Sequence, residues 1–309
     1  NRPMQPLING LTQLGAFCVS TKEDGHAPII LKGPIKPGSA KITGEDSQPV
    51  SALLMATAFL EGESEVYVEN AGEKPWIDLT LRWLDKLGIA YKNHNYKHYI
   101  IHGHAKYDGF NYAVPGDFSS ILFPVAAGLI TQSEVAIHYV DMNDVQGDKK
   151  AIEIMESMGA HIEYDLQTET LKIFGDQPLI GKEIDVNDFI DAIPILAVVA
   201  CFAKGETKFF NGAIARKKEC DRIAAITTEL KKMGAAIEEI PDGLIIKESK
   251  LTGATVNTYH DHRMVMALAV AGMGATGHTV VRDISSVSKS YPRFYDDMKS
   301  LGADIEEIE

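Results

Sequence analysis

The chain has 309 residues, 45% apolar and 24% charged, enough for two cores and the balance of an ordinary water-exposed globular protein. Its formal net charge of −13 excludes non-specific nucleic-acid binding and adsorption to acidic membranes, but not small anions held by a local cluster of Arg and Lys. Cys18, Cys201 and Cys220 lack metal or redox spacing and no signal peptide is visible, so free, mostly buried thiols in the cytoplasm are expected.

In chain order, Leu7, Leu11 and Leu14 fall at helical spacing and stop at Gly15, where QLGAFCV passes from helix to strand; residues 1–32 read as the tail of a repeated unit. GPIKPGSA from Gly33 is a near-miss for a phosphate loop, with Ser39-Ala40 where Lys-Ser/Thr is required. SALLMATAFLEGESEV from Ser51 reads as a small-residue buried helix, a turn at Gly62 and a strand. A helix then ends at Gly88 in KLGIAYK, and HYIIH closes the unit. After the Gly-, Tyr- and Asp-rich loop Lys106–Pro115 the succession repeats: ILFPVAAGLITQSEV, SMGAHIE with Gly159, and LKIF. It repeats again as PILAVVACFAKGETKF, KMGAAIE with Gly234, and GLIIK. The last pass is MALAVAGMGATGHTVV and SLGADIE with Gly302. The helix-ending glycines recur roughly every 70 residues. About four complete units are expected, each a strand, a buried helix, a strand, an amphipathic helix and a hairpin. The glycines are expected to adopt left-handed caps. The uncharged run Met264–Val281, broken by Gly272, Gly274, Gly277 and His278, reads as helix plus strand rather than a membrane span.

The candidate chemistry lies at helix starts. Lys218 and Arg222 share a face of the helix opened by RKKECDR, with Glu219 three residues before Arg222; taken alone, such a pattern is more often a solvated charged face. Tyr259-His260-Asp261-His262-Arg263 precedes the last buried helix. It lacks a third metal ligand nearby, and an arginine at a helix N-terminus suits phosphate or carboxylate. Asp191 is most simply an N-cap, and Ser47, Ser119 and Ser120 look like capping serines. Lys289 stands before the final helix. If the units pack around a common axis, these helix starts converge on one electropositive face.

These motifs carry a resemblance. Arg2-Pro-Met, Asp-Ser47-Gln48, KPWID at 74–78, PGDFSS at 115–120, QGD at 146–148, RKKECDR, DHRM at 261–264 and KSYP at 289–292 are similar, in order, to those of the 5-enolpyruvylshikimate-3-phosphate synthases. The resemblance implies an α/β fold of two inside-out barrels with pseudo-threefold symmetry: a truncated first domain at 1–115 and a second at 116–309. It implies transfer of the enolpyruvyl group of phosphoenolpyruvate to the 5-hydroxyl of shikimate 3-phosphate, by addition and elimination, with no metal or cofactor, in a monomer. Arg2, Arg222, Arg263 and Lys289 would hold phosphoenolpyruvate, as bidentate guanidinium groups suit its carboxylate and phosphate. Ser47, Gln48, Lys218 and Asp191 would contact shikimate 3-phosphate. Asp191 would be the base for the 5-hydroxyl and Glu219 the proton donor to the methylene carbon, with Lys218 and Lys289 sharing in proton transfer. The two carboxyl groups should therefore have pKa values pushed apart.

Two departures bear on this expectation. The family's N-terminal Lys-Ser, Arg and Asn-Ala-Gly-Thr segments have no counterpart here, so this chain alone is expected to be inactive or nearly so. Asp46 and Glu73 stand where many members place serines that bind the shikimate phosphate, which an acidic group repels unless paired. A UDP-N-acetylglucosamine enolpyruvyl transferase remains the alternative within the class. A catalytically dead ligand-binding protein of the same fold remains the alternative outside it. An RNA-end cyclase shares the repeat but not this charge balance.

Overall fold

A computed structural model describes residues 2–308. Its five amphipathic helices end in the same way. Gly15, Gly88, Gly159, Gly234 and Gly302 have φ between +66° and +106°, the left-handed region a Cβ disfavours. Beyond each, the next N–H donates to a carbonyl five positions back: Ala16 to Leu11, Ile89 to Leu84, Ala160 to Met155, Ala235 to Leu230 and Ala303 to Met298, at 2.9–3.1 Å. These bonds satisfy carbonyls that a helix end otherwise leaves orphaned and turn the chain into the next strand.

The chain divides into two compact units. One comprises Asn1–Ala113 with Val145–Gly147. It begins with helix α1 (Gln5–Gln13) and the antiparallel pair β1 (Phe17–Ser20) and β2 (Ile29–Lys32). A complete repeat follows: β3 (Ser39–Thr43), α2 (Ser47–Ala58), β4 (Ser64–Glu69), α3 (Lys74–Lys86), β5 (Tyr91–His94) and β6 (His98–Ile101). Its sheet runs β3-β4-β6-β5, with β3 and β4 parallel and the hairpin antiparallel. Leu53, Leu54, Ile77, Val66 and Ile101 close its core. Removing such a side chain from water contributes about 1.5–3 kcal/mol. Contrary to the expected all-round burial, α2 leaves Met55 about half exposed, as is Phe59 just past its end.

The second unit comprises Val114–Asp144 and Asp148–Glu309. Its first repeat has α4 (Phe118–Ile130), β7 (Glu134–Ile137), α5 (Lys150–Ser157), β8 (His161–Asp165) and β9 (Thr170–Phe174). No strand precedes α4, where Val114, Pro115 and Gly116 stand; Pro has no ladder N–H and Gly no side chain to pack. The next repeat is complete: β10 (Glu183–Asp185), α6 (Ile193–Cys201), β11 (Glu206–Phe210), α7 (Arg222–Lys232), β12 (Ala236–Ile240) and β13 (Gly243–Lys247). It has the same sheet order as the complete repeat of the first unit, β10-β11-β13-β12. The last contains β14 (Thr255–Val256), α8 (His262–Gly274), β15 (Val280–Val281) and α9 (Phe294–Ser300), and residues 303–308 form no strand. Two repeats are therefore complete rather than four. Helices α4, α6 and α8 pack on one another at the centre with the sheets outside. All nine residues of α6 are buried, which explains its apolar character all round. Among the described residues no helix is long and apolar enough to cross a membrane.

Candidate active site

Packing α4, α6 and α8 together gathers their N-termini, and the second unit's charged residues meet there. Arg222, the first residue of α7, is 1% exposed and is held by three carboxylates. Its Nη1 donates to Asp191 Oδ1 at 2.6 Å, its Nη2 to Glu219 Oε2 at 2.7 Å and its Nε to Asp261 Oδ2 at 2.7 Å. Arg263, in the first turn of α8, donates from Nη2 to the other oxygen of Asp191 at 3.0 Å. One carboxylate thus bridges two guanidinium groups. The Arg263 side chain is 11% exposed, and its buried Nε–H makes no hydrogen bond.

Asp148 completes the arrangement on the far side of Arg263. It lies fully buried in the turn before α5, 3.8 Å from Arg263 Nη1, and accepts a 2.5 Å hydrogen bond from Ser119 Oγ. Lys149 Nζ donates to the carbonyls of Met142 and Asp144 and pins the loop carrying it. The other carboxyl oxygen of Asp148, Oδ1, is buried without a partner.

The carboxyl groups have opposite proton affinities. Burial raises Asp191, but the nearby Arg263, Arg222 and Lys218 outweigh it and hold the carboxylate well below the ordinary range. Asp261 is lowered too, its burial being outweighed by Arg222 and by the Arg263 backbone N–H. Asp148 is pushed up to about 7, first by burial and further by Asp191, with Arg263 and Ser119 only partly offsetting this. Asp191 and Asp148, which lie on either side of Arg263, are therefore shifted in opposite directions. His262 is lowered by burial and by Arg263, so it is neutral at pH 7. The Cys220 thiol is pushed up to about 12 by burial and by Asp261, which makes it an unreactive side chain.

The helix caps differ from the sequence expectation. Ser47, Ser119 and Ser120 are not caps: Asp46 accepts from Gln48 N–H at 2.9 Å, and Asp117 accepts from the Ser119 and Ser120 N–H groups. These aspartates have the extended backbone an N-cap needs, whereas the serines already lie inside the helix. Asp191 does not cap α6 either. That helix starts after Ala192 with no side-chain cap, which leaves the Asp191 carboxylate to the arginines. Nor is the face simply electropositive, because carboxylates meet each guanidinium.

Lys218 is buried and contributes to lowering Asp191. Lys289 is exposed at the end of a short 3-10 turn that packs on α8, and no hydrogen bond or ion pair joins it to the cluster. Arg2, Ser47 and Gln48 belong to the first unit. There Arg2 Nη1 lies 3.9 Å from Asp46 Oδ2, and Ser47 is buried with its N–H and hydroxyl both donating to Glu73. Asp148, Ser119 and Asp261 were not singled out as site residues from the sequence. Asp148 and Asp261 occur within the quoted QGD and DHRM motifs, but Asp148 and Ser119 are 29 residues apart and only folding pairs them. No group of three His, Cys, Asp or Glu suited to a metal ion occurs among the described residues.

Residues 1–298 match the family described as EPSP synthase (3-phosphoshikimate 1-carboxyvinyltransferase). The chain is 43% identical over 308 residues to the 3-phosphoshikimate 1-carboxyvinyltransferase of Acetivibrio thermocellus, an alignment covering 100% of this chain and 72% of the relative. It is 45% identical over 314 residues to the enzyme of the same name from Methanococcus maripaludis, covering 99% of this chain and 73% of the relative. A solved EPSP synthase from Acinetobacter baumannii superposes with a TM-score of 0.79 at 28% identity, covering 99% of this chain and 72% of that one.

Proposed function

Since the chain belongs to the EPSP synthase family, we propose that its buried Arg222–Asp191–Arg263 bridge is the donor-binding and proton-transfer centre of the family reaction. The chain is a transferase of the shikimate pathway that moves the enolpyruvyl group of phosphoenolpyruvate to the 5-hydroxyl of shikimate 3-phosphate and releases phosphate. The acceptor oxygen bonds to the central carbon of phosphoenolpyruvate while the methylene carbon gains a proton. Elimination then returns a proton from that carbon and expels phosphate.

The bridge supports this reading because it links anion binding to base strength. Asp191 is ionised but a weak base while two guanidinium groups share it. Arg263 binds the carboxylate and phosphate of phosphoenolpyruvate, and in doing so exchanges its Asp191 contact for the ligand. Asp191 then loses a stabilising positive charge and becomes more basic as the 5-hydroxyl needs a proton acceptor. Arg222 keeps Asp191 and Glu219 oriented, and Glu219 supplies the proton to the methylene carbon. Lys218, Lys289 and Arg2 add positive charge for the anionic substrates. Ser47 and Gln48 contact shikimate 3-phosphate, with the phosphate end at α2. The two units correspond to the family's two domains, and the protein acts as a cytoplasmic monomer without nucleic-acid or membrane partners, consistent with its net charge of −13.

Acceptor choice tests the assignment. The protein is titrated calorimetrically with shikimate 3-phosphate and with UDP-N-acetylglucosamine in the presence of phosphoenolpyruvate, and released phosphate is assayed in parallel. Saturable binding of the shikimate compound alone is expected. Saturation by the UDP-sugar instead would overturn the assignment.

A further inference from the structure

The start of α2 already faces two carboxylates from the chain itself. Asp46 takes the Gln48 N–H at 2.9 Å. Glu73 reaches back from the start of α3 to take the Ser47 N–H at 2.9 Å and the Ser47 hydroxyl at 3.1 Å. Glu73 is only 3% exposed, and its backbone is left-handed (φ 46°, ψ 40°), a strained conformation for a residue with a side chain. The preceding loop is clamped in place. Gly72 N–H donates to the Gly44 carbonyl at 2.9 Å, and a Cβ at Gly72 would lie 2.7 Å from the Glu45 carbonyl oxygen. The backbone therefore directs the Glu73 carboxylate at Ser47. Asp46 stands beside it, and Arg2 is 3.9 Å from Asp46.

We propose that Glu73 is a specificity-determining residue for the acceptor: its carboxylate competes with the phosphate of shikimate 3-phosphate for Ser47. The proposal rests on the assignment of Ser47 to the acceptor site. A phosphate and a carboxylate cannot share one set of donors without strong repulsion, so the phosphate must displace Glu73 from Ser47. The competition acts on the phosphate and not on the shikimate ring, so it lowers discrimination between shikimate 3-phosphate and unphosphorylated shikimate. Glu73→Gln keeps the shape and removes the charge, and Glu73→Ser removes the competing group.

The test is calorimetric titration of shikimate 3-phosphate and of shikimate into the whole chain and its Glu73→Gln, Glu73→Ser and Ser47→Ala variants, with thermal melts to confirm folding. Both Glu73 variants are expected to bind shikimate 3-phosphate more tightly, on the order of tenfold or more, with shikimate binding unchanged. A purely structural role for Glu73 would move both ligands together. Unchanged or weaker shikimate 3-phosphate binding in both Glu73 variants overturns the proposal. If Ser47→Ala leaves shikimate 3-phosphate binding unaltered, the assignment of Ser47 to the acceptor fails instead.

Discussion

At the scale of single residues, Arg222 and Arg263 have different tasks although both touch Asp191. Arg222 is saturated by Asp191, Glu219 and Asp261 at 2.6–2.7 Å and almost fully buried. Truncating it to Met leaves three carboxylates without their shared cation, an error that costs about 3–5 kcal/mol. Urea denaturation should show a loss of that order for Arg222→Met, and little loss for an exposed control such as Lys289→Met. Asp148 gives a pH-dependent counterpart. Its carboxyl is held at about 7, against 3.8 ordinarily. Between those values the folded state keeps a proton that the unfolded state has released, so this residue's contribution to stability falls as pH rises. Asp191 and Asp261 act in the opposite sense: both are lowered, so their stabilisation is present at neutral pH and lost in acid, below the ordinary carboxylate range. The stability of Asp148→Asn relative to the parent should therefore increase from pH 5 to pH 8, as read from urea midpoints. A pH-independent difference would show that Asp148 does not titrate in this window.

At the scale of elements, a repeated helix end carries the chain from one layer to the next. Gly234 shows the cost of changing it. Its φ is +88°, and a Cβ there would meet only ordinary contacts, 3.7 Å from the Lys250 carbonyl oxygen, so Gly234→Ala isolates the backbone penalty. A loss of about 1–2 kcal/mol in denaturant melts is expected. This device was legible in the sequence because it is local: an apolar helix face, a glycine and a β-rich segment lie within a few residues. The existence of helices α2, α4, α6 and α8 was legible for the same reason, as runs of small apolar residues without a polar stripe, although α2 is not buried all round. The caps were misread because Asp46-Ser47 and Asp117-Phe118-Ser119-Ser120 each offer more than one capping side chain. Which one caps depends on which residue has extended backbone, and that is set by packing.

At the scale of the whole molecule, the two units share one repeat, and its two complete copies have the same sheet order. Helices α4, α6 and α8 pack on one another in the second unit, α6 buried all round and α4 nearly so, and their starts are thereby brought into one cluster. The sequence motifs named Asp191, Glu219, Arg222 and Arg263 because each sits in a recognisable run. They could not show that the arginines are met by carboxylates, or that Glu73 lies on Ser47, since those pairs are separated by up to 72 residues.

The central claim is that Arg263 exchanges Asp191 for phosphoenolpyruvate. It is tested most directly by calorimetric titration of phosphoenolpyruvate, with shikimate 3-phosphate present, into the parent protein and folded Arg263→Lys and Asp191→Asn variants. Loss of the bidentate guanidinium should weaken phosphoenolpyruvate binding on the order of tenfold in Arg263→Lys. Removing the competing carboxylate should leave binding as tight or tighter in Asp191→Asn. Unchanged affinity in Arg263→Lys, together with loss of binding in Asp191→Asn, would contradict the exchange and remove the bridge from the donor site.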